Sequence, residues 1–463
     1  MSFNIYNSIT KKIERFNPIE KKKVSLYTCG PTVYDYSHIG NFRTFLFEDL
    51  LKRWLIHLGY DVKHIMNITD IDDKTIEKAN KKGVSLKKIT HKYTEVFFND
   101  LKWLKLIPAS SFPRATNYID EIIILIQKLI KKKHAYLDDS GSVYFDIGTQ
   151  SNYGKLTNLK SNSLKKGKRV LDDEYNKNMA QDFALWKAHK DIEGEIFWDS
   201  PWGKGRPGWH IECSAMAMAE LGENFDIHCG GVDNMFPHHE NEIAQSESVT
   251  GKKFVNYWMH SEFLSIDGDK MSKSKGNVYT INKLKGMGFS AESIRYQLLS
   301  SHYRKKITFS KRKKDEVDRV ISRFFNFYNL LISREANLIK GVSYPQEYLE
   351  FCDKMNNDLN VSGALGIFFS WMKGVMKKIK AKNISDKGLG EAWMFLSVLN
   401  DVFDFIDVKK NDIPNDVRII LKKRMQAREV KDYVLSDLLR NELEIMGWKV
   451  EDSSQGQEVF KNK

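Results

Sequence analysis

The chain has 463 residues, of which 41% are apolar and 29% charged, with 27 Phe, 19 Tyr and 10 Trp, a composition that excludes wholesale disorder. At about 150 residues per domain the length accommodates roughly three units. Lys and Arg number 73 against 60 Asp and Glu, and the resulting formal charge of +13 fits a polyanionic partner, nucleic acid or anionic membrane, as well as a surface that simply carries many lysines.

The N-terminal stretch, MSFNIYNSITKKIERFNP, has no apolar signal core and no Arg-rich presequence. Val24–Cys29 is a short apolar run stopped by Gly30-Pro31, which predicts a buried strand. Asn41–Leu58 carries apolar residues at helical spacing, with Gly59 as the terminator, and Val62–Ile68 reads as the next strand. Strand, helix and strand within about 45 residues predict a βαβ unit and a parallel sheet. A mostly helical stretch follows to Lys133. Its most apolar span, Ile119–Ile130, carries charge and is too short for a bilayer crossing. Ala135–Ile147 predicts a hairpin around Ser140-Gly141, and Gly148–Asp182 is a polar, Lys/Asn-rich excursion. Strands are then predicted at Phe225–His228 and Phe254–Met259, and helices at Trp209–Leu221 and Pro237–Ser248. Beyond about residue 290 strands are expected to disappear, with amphipathic helices at Val317–Leu331, Ala364–Ile379, Gly390–Ile406 and Ile419–Gln426. Trp448–Val459 fits a small hairpin or an extended arm. The four cysteines, Cys29, Cys213, Cys229 and Cys352, are too few and too dispersed for a disulfide framework. A soluble protein of a reducing, cytoplasmic compartment is expected.

Three features carry chemistry. His38-Ile39-Gly40-Asn41 lies between a predicted strand and a helix N-terminus, where backbone N–H groups and the helix dipole meet phosphate. By itself the four-residue motif is better read as a turn histidine that caps the helix. Lys270-Met271-Ser272-Lys273-Ser274 puts two lysines and two serines on a glycine-edged loop, suited to neutralising a polyphosphate, or else a solvated basic loop. Cys29, Cys213, His238 and Glu242 are candidate metal ligands: His238 and Glu242 fall at i, i+4 on one helical face, and the elements that carry the four converge at the carboxyl edge of the predicted sheet.

The pairing of HIGN with KMSKS resembles the two signatures of class I aminoacyl-tRNA synthetases. Five further stretches narrow the resemblance to the cysteinyl-tRNA synthetases: Tyr27–Asn41, Asn67–Ile76, Gly205–Met216, Phe225–Gln245 and Trp258–Asn277. The resemblance covers nearly the whole chain. It implies an α/β fold: a Rossmann-like parallel-sheet catalytic domain over 1–290 with an insertion at about 115–200, a helical bundle over 291–410 and a small anticodon-binding region over 411–463. It implies ligation of cysteine to tRNA(Cys) through a cysteinyl-adenylate, with ATP, magnesium and one zinc ion, by a monomer that touches no membrane. Carried across residue by residue, it makes Cys29, Cys213, His238 and Glu242 the zinc ligands, with His239 and Glu240 as neighbours that do not ligate. Thr69, Trp209 and His228 line the amino-acid pocket. His38, Gly40, Asn41, Lys270, Ser272 and Lys273 bind ATP, and His38, Lys270 and Lys273 stabilise charge in catalysis. Soft thiolate coordination separates cysteine from serine, so no editing domain is expected.

Two departures stand out. Asn41 occupies the position of the usual second signature histidine, and Cys229 replaces a glycine beside His228. Lys305, Lys306, Lys311, Arg312, Lys313 and Lys314 form a basic run that fits tRNA phosphates or a solvated helix face. In the C-terminal region Arg428, Tyr433, Asp437, Trp448 and Asp452 are candidates for contacts with unpaired bases. An ATP-dependent cysteine ligase acting on an amino sugar and a non-catalytic zinc RNA-binding protein are the competing readings. The helical second half opposes the first, and the intact His38, Lys270 and Lys273 oppose the second.

Overall fold

The computed structural model describes residues 2–158, 164–170, 180–267, 269–270, 278–407, 414–453 and 456–461. They cluster into two compact units, the first made of 1–289, 301–309 and 355–360, and the second of 290–300, 310–354 and 361–463.

A four-stranded parallel sheet organises the first unit, in the order Val255–Ser261, Phe225–Gly231, Lys23–Thr28, Asp61–Met66. Every residue of Phe225–Gly231 is buried, as expected of a parallel strand covered on both faces. The helix Ile39–His57 connects Lys23–Thr28 to Asp61–Met66, as the βαβ reading anticipates. It is buried on most sides: Ile39, Phe42, Phe45, Leu46, Phe47, Leu50, Leu51, Trp54 and Leu55 are each at most 5% exposed. Burying such side chains contributes about 1.5–3 kcal/mol apiece, and this anchors the helix whose first turn carries the His38–Asn41 motif. The helix ends at Leu58, and Gly59 beyond it takes the left-handed conformation (φ 84°) that glycine adopts without a Cβ penalty. The expected hairpin, Ala135–Leu137 with Val143–Phe145, joins Leu164–Val170, Ala180–Ala188 and Gly205–Pro207 in a second, mixed sheet inserted between the halves of the parallel one.

Two details differ from the sequence reading. The helix expected at Pro237–Ser248 begins only at Glu240; the preceding Met235–His239 forms a wide turn in which Phe236 is extended (φ −138°, ψ 132°). Strands also do not vanish after residue 290: Ile307–Phe309 pairs in parallel with Leu264–Ile266. Three residues are too few to show an alternation, and their partner is more than 40 positions away in sequence.

The second unit is helical, with Lys314–Ser333, Val361–Lys380, Asp386–Phe403 and Asn415–Glu429 at the predicted places and Gln346–Asn356 and Tyr433–Ile445 in addition. It closes with the antiparallel hairpin Trp448–Ser453 and Gly456–Lys461. Trp448 corrects an expectation: it is 5% exposed and packs with Val417, Leu443 and Val450, so its ring offers no open face to a base. Asp452 is likewise engaged, receiving bonds from Arg424 Nη1 at 3.0 Å and Nη2 at 2.7 Å and pairing with Arg428 at 3.0 Å. Tyr433 is exposed. Among the described residues no helix is long and apolar enough to cross a membrane.

Two stability tests follow from this packing. A Cβ on Gly30 would sit 1.7 Å from the Asn67 carbonyl oxygen, so Gly30→Ala should destabilise the first unit by about 3 kcal/mol, seen as a fall in its thermal midpoint. Asp452→Asn strips the carboxylate from the buried Arg424 guanidinium and should cost about 2 kcal/mol, less than a fully buried pair because Asp452 is partly exposed. Arg424 holds the Asp452 carboxyl below its usual range in the folded state. The contribution is therefore present above about pH 4 and lost as the pH falls further. Amide exchange in the hairpin should accelerate below that pH in the wild type, and the Asn variant should show no such step.

Candidate metal centre and active-site cleft

The strands Lys23–Thr28 and Phe225–Gly231 lie side by side although about 200 residues separate them, in the register Tyr27 with His228 and Thr28 with Cys229. From this pair the sheet grows in opposite directions, to Asp61–Met66 on one side and Val255–Ser261 on the other. That is a topological switch point, and the crevice outside the carboxyl ends of such strands is where open α/β sheets bind ligands. A cleft of about 560 Å³ opens there, lined among others by Cys29, Gly30, His38, Gly40, Asn41, Trp209 and Thr280.

Cys29 lines this cleft, and it brings a donor atom together with one each from the buried Cys213, His238 and Glu242, all four within 4.8 Å of one another. Cys29 follows the end of its strand, Cys213 lies on the helix Trp209–Leu221, and His238 leaves the wide turn just before the helix that holds Glu242. The i, i+4 spacing brings His238 Nε2 to 3.0 Å from Glu242 Oε1. A second set overlaps the first: Cys29, His228, His239 and Glu242 satisfy the same 4.8 Å limit. Here the structure departs from the sequence reading, which sets His239 aside. Its Nε2 lies 3.3 Å from Cys29 Sγ, while its Nδ1 is 2.8 Å from His260 Nε2, and His260 Nδ1 is 2.8 Å from Ser8 Oγ. His210 Nδ1 in turn sits 3.0 Å from His238 Nδ1. The sequence carries no periodic signal for His210 or His260, because each comes from a different element. Glu240 turns away from the donor set. Its carboxylate accepts from the backbone N–H groups of Gly154, Leu156 and Thr157, tying the inserted segment to the site.

Burial makes this cluster hostile to charge when no cation is present. It pushes the Cys29 thiol well up, and Cys213 also ends above its usual value although the bond to Cys29 pulls it down. It drives His210, His238 and His260 down to about 3, and His239 well below its usual range. A set of protonated thiols, neutral imidazoles and one carboxylate within a few ångströms is the environment that a dication inverts, because it ionises thiols and takes imidazole lone pairs. Two sulfurs, a ring nitrogen and a carboxylate oxygen fit zinc by donor type.

Of the three pocket candidates, Trp209 lines the cleft and stacks on His238 at 4.3 Å. Thr69 and His228 are at most 1% exposed. Thr69 bridges to Thr32, and His228 is held by Glu242 at 2.9 Å and by a stack on Trp258 at 4.5 Å. Neither of these two is among the residues that line the cleft, in contrast to the role the resemblance implies.

His38 takes the capping role of its two sequence readings. It is the N-cap of the helix, accepting from Asn41 N at 3.3 Å through Nδ1, while Asn41 Oδ1 accepts from His38 N at 3.0 Å. It also lines the cleft. An Nδ1 that accepts keeps the proton on Nε2. Asn41 suits this reciprocal cap, since its amide oxygen takes up a backbone donor that a helix start leaves unmatched. The stretch after the second signature returns to the same place: Ile39 N donates to Tyr279 O at 2.8 Å, and His38 bridges to Thr280. Lys270 lies in a two-residue strand paired with Ser265 and Ile266, while Ser272 and Lys273 lie outside the described residues.

Comparison with known proteins agrees with this geometry. The family described as the tRNA synthetases class I (C) catalytic domain matches residues 15–319. The cysteine–tRNA ligase of Chlamydia muridarum is 45% identical over 100% of both chains, and that of Brachyspira hyodysenteriae 46% identical over 97% of this chain and 98% of its own. Among solved structures, a Mycobacterium tuberculosis methionyl-tRNA synthetase in complex with methionyl-adenylate superposes with a TM-score of 0.59 at 14% identity, covering 83% of this chain and 90% of that one. A leucyl-tRNA synthetase complex from Agrobacterium radiobacter gives 0.60 at 11% identity over 84% and 85%. These two likenesses concern the α/β fold. With near-half identity sustained from end to end, the chain belongs to the cysteine–tRNA ligase family of the class I tRNA synthetases.

Proposed function

We propose that the protein is an ATP-dependent cysteine–tRNA ligase. The cysteine carboxylate attacks the α-phosphorus of ATP, the bond to the bridging oxygen breaks, and pyrophosphate leaves with that electron pair. A ribose hydroxyl of the terminal tRNA adenosine, taken as the 2′-hydroxyl, then attacks the acyl carbonyl and AMP departs. One observation carries this reading: a set of two thiols, an imidazole and a carboxylate meets, through Cys29, the same cleft that His38, Gly40 and Asn41 line.

Neither step needs a side-chain nucleophile, so positioning and charge stabilisation account for the catalysis. His38 is fixed by its capping bonds, and its Nε2 is the ring donor toward a phosphate oxygen. The first-turn N–H groups beside Gly40 add the positive end of the helix. Lys270, Lys273 and Ser272 follow the charge that moves onto pyrophosphate, with magnesium on the phosphates. Cys29, Cys213, His238 and Glu242 would hold zinc, which when bound supplies a thiophilic Lewis acid that favours a substrate thiol over a hydroxyl. Glu242 is the most shared of the four, lying within 3.0 Å of both His228 and His238. It is thus the ligand best able to yield a position to the substrate sulfur. Trp209 covers His238. Translation chemistry with free thiols at its centre belongs in a reducing cytoplasm. The lysine run 305–314 and the exposed Tyr433, with Arg428 and Asp437, are candidates for tRNA contacts.

Cysteine-dependent ATP–pyrophosphate exchange followed by tRNA charging tests the assignment; a wild-type chain inert in both overturns it. Cys213→Ser should lose stoichiometric zinc, measured by elemental analysis, together with exchange, because a serine hydroxyl is a poor ligand at neutral pH. Full zinc content in that variant would remove Cys213 from the ligand set. Lys273→Ala should slow exchange roughly a hundredfold while cysteine affinity changes little, since its charge matters most in the transition state. Equal losses in both would contradict that role.

A further inference from the structure

The rim of the cleft is electrostatically two-sided. The segments Gly231–Asn234 and Ser261–Leu264 contribute Asp233 and Glu262 to its lining. The segment Tyr34–His38 contributes Asp35, but Lys78 pairs with it at 3.3 Å and lysines stand behind the segment: Lys74 Nζ lies 5.8 Å from the Tyr34 ring centre, and Lys78 and Lys92 lie 5.9 and 5.5 Å from that of Tyr93. On this segment stands Tyr36, 45% exposed, an aromatic ring at the mouth of a polar cleft. It is no loose side chain. The buried Tyr93 meets it edge-on at 5.2 Å and 90°, and Tyr36 N is held by Asp35 Oδ1 at 2.9 Å. The function proposed above has no use for this ring, because cysteine and ATP are accounted for by other residues.

An open, preorganised aromatic face flanked by cations is how proteins hold unpaired nucleotides: the base stacks and the phosphates meet the ammonium groups. The transfer step requires that the single-stranded 3′ end of tRNA cross this rim. Its phosphates are repelled by the wall with Asp233 and Glu262 and attracted to the lysines over the Tyr34 and Tyr93 rings. We propose that Tyr36, with Lys74, Lys78 and Lys92 behind its segment, is the stacking platform for an unpaired nucleotide of the tRNA 3′ strand that precedes the terminal adenosine. The proposal rests on the tRNA-charging function given above.

The test uses the full-length, zinc-loaded enzyme, Tyr36→Ala and Tyr36→Phe, and tRNA(Cys) with or without its unpaired 3′ nucleotides. Tyr36→Ala should leave cysteine-dependent exchange within about twofold of wild type and lower kcat/KM for charging roughly tenfold, mostly through KM for tRNA. Tyr36→Phe, which keeps the ring, should restore charging. Wild type should bind complete tRNA more tightly than the trimmed form, and Tyr36→Ala should erase that difference. Lys92→Ala should reduce the salt dependence of tRNA binding by about one counterion. An equal loss of exchange in Tyr36→Ala would assign the ring to ATP and overturn the proposal. So would unchanged charging, or the same loss of affinity for trimmed and complete tRNA. In each of those cases wild-type exchange and charging stand, and the platform alone falls. A wild-type enzyme without cysteine-dependent exchange would bring down the function and the platform together.

Discussion

Backbone pairing between Lys23–Thr28 and Phe225–Gly231 is the constraint from which the site follows. The register sets Thr28 opposite Cys229, so Cys29 emerges from one strand beside the turn that leads out of the other. A slip of one residue would reverse which side chains face each side of the sheet and would carry the Cys29 thiol away from the imidazoles. Glycine protects the same junction. Gly30 passes so close to the Asn67 carbonyl, and Gly230 so close to the His239 ring, that neither position has space for a Cβ. The polar cluster is therefore built on closely packed backbone, with little dependence on flexible loops.

That packing has an electrostatic cost. Five imidazoles (His210, His228, His238, His239 and His260), two thiols and the Glu242 carboxylate are all shielded from water except for the partial opening at Cys29. Buried ionisable groups are tolerated when they are paired or bind metal. The hydrogen-bonded chain from Cys29 through His239 and His260 to Ser8 satisfies part of the demand, and a bound dication would satisfy the rest. The chain also explains why the amino-terminal segment belongs to the first unit: Ser8 is the outermost link, and Ser8 N donates to Trp258 O at 2.8 Å.

The helix-start side of the cleft follows a different principle. His38 and Asn41 satisfy each other's backbone across the first turn, so the cap that stabilises the helix also fixes the imidazole at the cleft. The pairing of His38 with Thr280 and of Leu264–Ile266 with Ile307–Phe309 then holds both flanks of the second signature against the first unit.

Much of this was legible in the sequence alone. The βαβ unit, the inserted hairpin, the long helices of the second half and the closing hairpin follow from local periodicity and turn residues, which act over a few positions. The four candidate metal donors were legible through motif resemblance, and His238 and Glu242 also through their i, i+4 spacing. Other features depended on partners distant in sequence. His239 beside Cys29 and the His260–Ser8 link join elements more than 200 residues apart, and no period encodes such proximity. The wide turn at Met235–His239 shortens the predicted helix because tertiary packing overrides local propensity. Trp448 looked like a surface aromatic in a polar tail, yet it fills the core under the closing hairpin. The sequence specified residue types and local geometry; which of those residues meet, and whether a ring faces water or a core, was decided by strand register and packing across the chain.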